Sequence, residues 1–249
     1  MTDHHFHDAK SQVVRLAAQP EPVAIELAKT AVIVVDMQND FGAKGGMFDR
    51  AGIDISGIQK AIAPTSKVLD LARQCDIKII YLKMGFRPDL SDLGSPGSVN
   101  RVRHLRFGVG QTILAPDGSE SRILIRDTWN TDILRELEPQ EDDVVIYKHR
   151  FSGFYETDLD ERLKQMGIKH LIVIGCTTSI CVESTVRDAM FRDYSCILLT
   201  DCMSEPIGLD SPGSNHEASL LAIQMLFGWA STSDEFINAL GDNLSNRAC

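Results

Sequence analysis

What most constrains this chain is an alternation. From Thr30 onward, short apolar runs at 31–35, 78–82, 143–147, 170–174 and 195–200 are separated by stretches whose apolar residues recur every three or four positions, at about 57–74, 130–137, 158–166, 182–193 and 216–226. The runs are nearly continuous rather than alternating, as in Ala31-Val32-Ile33-Val34-Val35, so both faces of each strand are buried. A sheet buried on both sides needs helices on both sides, and strand–helix alternation supplies them through parallel crossovers. The spacing therefore predicts an α/β fold, a three-layer αβα sandwich. Leu226-Phe227-Gly228-Trp229-Ala230 reads as a last edge strand, followed by a short helix at 232–240.

The 249 residues, 43% of them hydrophobic and 24% charged, suffice for one sizeable core, and a single domain over 30–249 is expected. Residues 1–29 lack periodicity and contain Gln19-Pro20-Glu21-Pro22, an extended arm that wraps the domain or pairs with another subunit. A net charge of -10 argues against nucleic acid or an anionic membrane as partner, because such binding relies on clustered Lys and Arg. Apolar runs are strand-sized and the start Met1-Thr2-Asp3-His4-His5-Phe6 is polar, so neither a spanning helix nor a signal peptide is expected, and a cytoplasmic location is. The six cysteines form no C-x-x-C pair; Cys75, Cys196 and Cys202 read as small buried hydrophobes and Cys249 as a frayed end.

In an open parallel sheet the carboxyl ends of neighbouring strands share one crevice. Three runs here end in chemically complementary groups: 31–35 at Asp36, 143–147 at Lys148, and 170–174 in a turn of small and hydroxyl residues that leads into a helix at or beside Cys181. A helix start offers unpaired N–H groups and a positive dipole end, which favours the thiolate of a cysteine placed there. A carboxylate within reach takes the thiol proton, an ammonium stabilises the thiolate, and attack on an amide carbonyl gives an oxyanion, for which the backbone N–H groups of Thr177 and Cys181 are the candidate donors. Taken singly, an Asp or a Lys at a strand end is more often a turn or solvated residue, and a lone Cys is as often core as nucleophile. It is the coincidence at three strand ends that points to covalent acyl transfer without histidine.

Two connections, 83–128 and 203–215, are long, rich in Gly and Pro, and follow strand ends on the crevice side, so they are candidate pocket walls. Phe41, Met84, Phe86, Arg87 and Phe151 are the substrate-binding candidates, with Phe154 a further wall. Arg101, Arg103, His104 and Arg106 form the one basic cluster, either a solvated face or a site for an anionic substrate or a neighbouring subunit. His4, His5 and His7 lie in the arm, and His104, His149, His170 and His216 lack ligand spacing, so no metal is expected. Gly42-Ala43-Lys44-Gly45-Gly46 lacks the spacing of a phosphate-binding loop and reads as a turn.

Ile33-Val34-Val35-Asp36-Met37-Gln38-Asn39-Asp40-Phe41, Lys148-His149-Arg150-Phe151-Ser152-Gly153-Phe154 and Gly175-Cys176-Thr177-Thr178-Ser179-Ile180-Cys181-Val182-Glu183-Ser184-Thr185, in this order, resemble the isochorismatase-like cysteine hydrolases over about Thr30 to Leu240. The resemblance implies a six-stranded parallel sheet, an Asp36–Lys148–Cys181 triad, a cis peptide at Cys176-Thr177, no cofactor, and a homo-oligomer. The Ser152-Gly153-Phe154 and Cys181-Val182-Glu183-Ser184-Thr185 segments with Phe227-Gly228-Trp229 are similar to ureidoacrylate amidohydrolases, whereas Gly85-Phe86-Arg87-Pro88-Asp89-Leu90 and Arg122-Ile123-Leu124 look more like biuret hydrolases. Either implies a small ureido or carbamoyl substrate cut through a thioester. The metal motif of nicotinamidase relatives is replaced here by Lys83-Met84-Gly85-Phe86, and the vinyl-ether hydrolases of the family lack the cysteine. A catalytically silent interaction protein on the same scaffold is the reading of a different class.

Overall fold

A computed structural model describes residues 12–208 and 214–245. His4, His5, His7, Pro212, Gly213 and Cys249 lie outside the described residues. A hairpin of β1 (Val13–Leu16) and β2 (Val23–Glu26) precedes strand β3 (Thr30–Val35). Two single turns, α1 (Asn39–Gly42) and α2 (Met47–Arg50), lead to helix α3 (Ser56–Gln74) and strand β4 (Lys78–Met84). The connection after β4 holds helix α4 (Val99–Arg106) and a small hairpin, β5 (Thr112–Leu114) with β6 (Glu120–Arg122), before strand β7 (Val144–Lys148). The chain continues through α5 (Leu159–Gln165), β8 (His170–Cys176), α6 (Glu183–Met190), β9 (Ser195–Ser204), α7 (Asn215–Leu226), β10 (Trp229–Ser231) and α8 (Ser233–Ser245).

The main sheet has six parallel strands in the order β10-β9-β8-β3-β4-β7. Alternation within each strand divides the core in two. Val32 and Val34 of β3, with Ile79 and Tyr81 of β4, face the layer of α3 and α8, where Ile58, Val68 and Phe236 pack. Ala31, Ile33 and Val35 face the other layer, built by Leu159 and Leu163 of α5, Val186 of α6 and Ile223 of α7. These are the expected three layers; the central strand β3 is buried along its whole length because neither face meets water, whereas the edge strand β7 exposes Val145.

Strand order places the site. From β3 the chain steps outward through β4 to β7, then returns to the opposite side of β3 at β8 and steps outward again. Connections leave β3 and β8 in opposite directions, which opens a crevice at their carboxyl ends. There Gly175 has φ 119, and a Cβ on it would lie 2.0 Å from the Val35 carbonyl oxygen, so only glycine lets the two strands close up at their ends.

Four expectations change. The helix expected at 130–137 is two 3₁₀ turns, Trp129–Thr131 and Arg135–Leu137, flanking an extended segment. Pairing to the strand exit wins over helical periodicity there: Asn39 N–H donates to Asp132 O (2.9 Å) and Leu134 N–H to Met37 O (2.9 Å). The helix expected over 182–193 is shorter, ending at Met190, because Asp193 turns left-handed at φ 64. The last strand begins at Trp229, not Leu226; Gly228 separates it from α7, where a Cβ would lie 2.4 Å from Cys196 O. The described part of the arm, residues 12–29, is partly a hairpin rather than extended throughout, and it folds back on its own chain. Gln19 exchanges backbone hydrogen bonds with Ala230 (2.8 and 3.0 Å), and Ser231 Oγ donates to Ala17 O (2.6 Å), which covers the β10 edge.

Candidate active site

Asp36 is the residue at which β3 stops. Its φ of 52 is left-handed, a conformation that costs a non-glycine residue about 1 kcal/mol or more and turns the side chain into the crevice. Lys148 ends β7 and is paired in register with Met84, so its stem lies beside that residue and its ammonium reaches over β4. The Nζ donates to Asp36 Oδ2 at 2.7 Å and to Arg150 O at 3.4 Å, and Met84 Sδ lies 3.6 Å away. Asp36 is 1% exposed and Lys148 0%, so this ion pair is sealed from water.

Cys181 arrives from β8 through a wide turn. The Cys176–Thr177 peptide is cis, as the family resemblance implied. Beyond it the Thr177 carbonyl accepts from Ile180 N–H and Val182 N–H, both at 3.2 Å, and passes over the N–H of Cys181 that a regular α-helix would use. The turn is pinned from several sides. Ser179 N–H donates to Glu205 Oε2 (2.8 Å), Thr178 Oγ1 meets His216 Nδ1 (2.9 Å), and Thr185 Oγ1 donates to Cys181 O (2.7 Å) while accepting from Gly153 N–H (3.0 Å). Ser152 Oγ donates to Asp188 Oδ2 (2.5 Å). The Ser152-Gly153 motif thus serves to lock α6, and with it the thiol, against the end of β7.

The Cys181 thiol lies against both Asp36 and Lys148. Burial pushes this thiol well up, and the Asp36 charge adds to the rise; Lys148 offsets only part of it. Desolvation thus works against the thiolate that the helix start favours, and Lys148 works for it. Burial also raises Asp36 above the usual carboxylate range, despite Lys148, which makes it a better proton acceptor. Burial works against the Lys148 charge, yet Asp36 and Cys181 together more than compensate, and the ammonium is held above its ordinary value. The second oxygen, Asp36 Oδ1, is buried with no partner at hydrogen-bond geometry among the described residues.

Asp36 and Cys181 form the floor of a cavity of about 100 Å³ whose remaining walls are mostly apolar, and Lys148 lies buried behind it against Asp36. Phe41, Met84 and Phe151 line it as expected, joined by Met47, Leu124 and Ile207. Phe86 does not. It is fully buried behind the wall, edge-on to His104 at 5.1 Å, because the strand continues to Met84 and the next residues turn under α4. Arg87 is exposed and faces a separate cleft with Arg126, Tyr147 and Arg150. Phe154 points into the core and stacks on Tyr194. Of the basic cluster, Arg103 and His104 line the cavity, whereas Arg101 donates to Leu90 O and Gly94 O.

Sequence reasoning passed over Asp40, which holds the wall together. Its Oδ1 accepts from Met47 N–H (2.9 Å) and Asn130 Nδ2 (2.5 Å), and its Oδ2 from Leu124 N–H (2.7 Å). Burial pushes this carboxyl up to about 6. Its apparent signal was only the Asn39-Asp40 pair opening a turn, which reads equally as a cap. Among the described residues no group of three His, Cys, Asp or Glu is placed to hold a metal.

The isochorismatase domain matches residues 30–235. The chain is 37% identical over 228 residues to the ureidoacrylate amidohydrolase RutB of Caulobacter segnis, covering 92% of each sequence. It is 36% identical over 227 residues to the ureidoacrylate amidohydrolase RutB of Rhizobium rhizogenes, covering 91% of this chain and 89% of that one. Among solved structures, a cysteine hydrolase from Pseudomonas syringae pv. phaseolicola 1448A superimposes with a TM-score of 0.74 at 30% identity, over 94% of this chain and 99% of that one.

Proposed function

This chain belongs to the isochorismatase family, and from that premise we propose that it is a cysteine-dependent amidohydrolase cleaving a small ureido compound, with ureidoacrylate the first candidate. The observation that carries the reading is a thiol and a carboxylate on the floor of one largely apolar cavity, with the buried Lys148 Nζ 2.7 Å from Asp36.

The chemistry follows from the geometry. Asp36, raised by burial, takes the Sγ proton of Cys181, and Lys148 stabilises the sulfur charge that appears. The thiolate attacks the ureido carbonyl carbon. Negative charge moves to the carbonyl oxygen, where the N–H groups of Thr177 and Cys181 are the proposed donors; the wide turn leaves the second of these outside the Thr177 carbonyl's bonds. The bond from the carbonyl carbon to the substituted nitrogen breaks, that nitrogen leaves as the amine with the proton from Asp36, and an S-carbamoyl thioester remains; water deprotonated by Asp36 cleaves it to carbamate, which breaks down to ammonia and carbon dioxide, and the proton returns to the Cys181 sulfur. Closed apolar walls keep other water away while the acyl group is attached.

Arg103 belongs to this reading. It is an exposed cation beside the cavity with no ion-pair or hydrogen-bond partner for its guanidinium among the described residues, and a substrate carboxylate would complete it. A cytoplasmic location is part of the proposal, as is a homo-oligomer, for which exposed Phe191, Leu221, Met225 and Leu226 offer an apolar face. The test is ammonia release from a panel of ureidoacrylate, biuret and other carbamoyl compounds. Release from ureidoacrylate that disappears in Cys181→Ala supports the proposal. A preference for biuret would move the substrate, and no release from any member would favour a catalytically silent interaction protein.

A further inference from the structure

We propose that His104 is a substrate-binding residue whose Nε2 accepts a hydrogen bond from the substituted N–H of the ureido group, so that the site selects nitrogen over oxygen at that position. The inference rests on the amidohydrolase reading and adds a residue and a selectivity to it. Three observations carry it. First, His104 lines the reaction cavity yet is only 8% exposed, an unusual placement for a residue of a helix whose neighbours Arg103 and Arg106 are exposed. Second, its Nδ1 lies 2.7 Å from Asn100 O one turn back. A carbonyl only accepts, so Nδ1 carries the proton and Nε2 is left with a lone pair when the ring is neutral. Third, the ring is fixed by aromatic contacts, edge-on to Phe86 at 5.1 Å and tilted on Phe151 at 5.7 Å, and Nε2 has no protein partner among the described residues.

Charge holds the ring in that state. Burial pushes the imidazole below its ordinary value, and the Lys148 and Arg150 cations that face it from β7 and the following segment push in the same direction, against the Asn100 hydrogen bond. Arg103 and Arg106 on its own helix add further positive charge nearby. The cavity therefore presents a neutral acceptor among largely apolar walls. A ureido group R–NH–CO–NH₂ offers N–H donors, and Arg103, adjacent to His104 on α4, places the substituent end of the substrate toward this helix. The N–H that bears the substituent is then the one within reach. An oxygen in its place would set lone pair against lone pair in a site that excludes water.

Binding tests this without turnover. In Cys181→Ala enzyme, calorimetry with 3-ureidopropionate and with its counterpart carrying oxygen for the substituted N–H should show a roughly 10- to 100-fold preference for the ureido compound. Adding His104→Phe, which keeps an aromatic ring between Phe86 and Phe151, should reduce that preference to about twofold or less, and His104→Gln, whose amide oxygen can accept, should restore part of it. No preference in the parent, or a preference unchanged in His104→Phe, overturns the role of His104. If His104→Phe does not fold, the parent measurement together with His104→Gln decides it, because an acceptor role predicts a preference in both. Failure of the wild-type protein to release ammonia from any ureido compound would instead remove the amidohydrolase reading, and the two results are read independently.

Discussion

Asp36 and Asp40 lie four residues apart, both are buried, and burial raises both carboxyls, yet one belongs to the floor of the cavity and the other to its wall. Asp40 has both oxygens engaged by three N–H donors that tie Met47, Leu124 and Asn130 together. Asp36 has one oxygen paired to Lys148 and the other without a partner at hydrogen-bond geometry among the described residues, beside a thiol. A buried carboxylate that is fully satisfied is structure; one left partly unsatisfied next to a proton donor is poised to react. The floor is built on rigid strand ends and the wall on the long connection between β4 and β7. Identical changes in the two should therefore fail in different ways.

The largest difference is expected from Asp36→Asn. The amide cannot take the thiol proton, so turnover should fall by about 10²–10⁴-fold in a protein that still folds, with a lowered unfolding midpoint because Lys148 loses its buried counter-charge. A variant that retains a tenth of the activity would remove Asp36 as proton acceptor. Next in size is Arg103→Gln at the cavity mouth. It should raise KM for acidic ureido substrates about tenfold and leave neutral ones within about twofold, since only the former lose a charge-assisted bond. Equal effects on both classes would place the carboxylate elsewhere.

Asp40→Asn should act on the wall alone. One of its three donors would face the new amide N–H₂ instead of an acceptor, which costs about 1–3 kcal/mol of stability. The sign with pH follows from the raised carboxyl. Its contribution to folding is complete below the ordinary carboxylate value of 3.8 and is lost as pH rises through about 6, whereas the Asn variant has no such slope. The stability gap between wild type and variant, read from urea midpoints, should be widest near pH 4 and narrow toward pH 8. A gap that widens with pH would mean that the ionised form is the stabilising one.

The same contrast explains what the sequence disclosed. The strands and two of the three residues were legible because a buried parallel strand is largely apolar, so the first polar residue after the run marks its carboxyl end. Asp36 and Lys148 announce themselves in this way, whereas Cys181, five residues beyond the end of β8, was legible from the turn of small and hydroxyl residues that leads to it. The wall was not legible, because its conformation is decided by partners far along the chain. Residues 129–137 carry a helical pattern but are drawn into extended pairing with Met37 and Asn39. In α4 the pattern misleads outright: Val99, Val102 and Leu105 are exposed while His104 is buried. Judged by ligand spacing, His104 was unremarkable; its significance comes from Asn100 O, Phe86 and Phe151, contacts that no local pattern encodes. Arg87 and Phe86 follow the strand end into the long connection but do not reach the pocket: the chain stays extended beside Leu124 and Ile125, which buries Phe86 behind the wall and leaves Arg87 on a separate cleft.

The central claim is that Cys181 forms the covalent bond. Incubating wild-type protein with ureidoacrylate, quenching in acid within the first turnovers and sequencing the peptides by mass spectrometry tests it directly. The account predicts a carbamoyl-type adduct on the peptide at Cys181 and none in Cys181→Ser, which should also be inactive. An adduct on Cys176, or full turnover by Cys181→Ser, would contradict it.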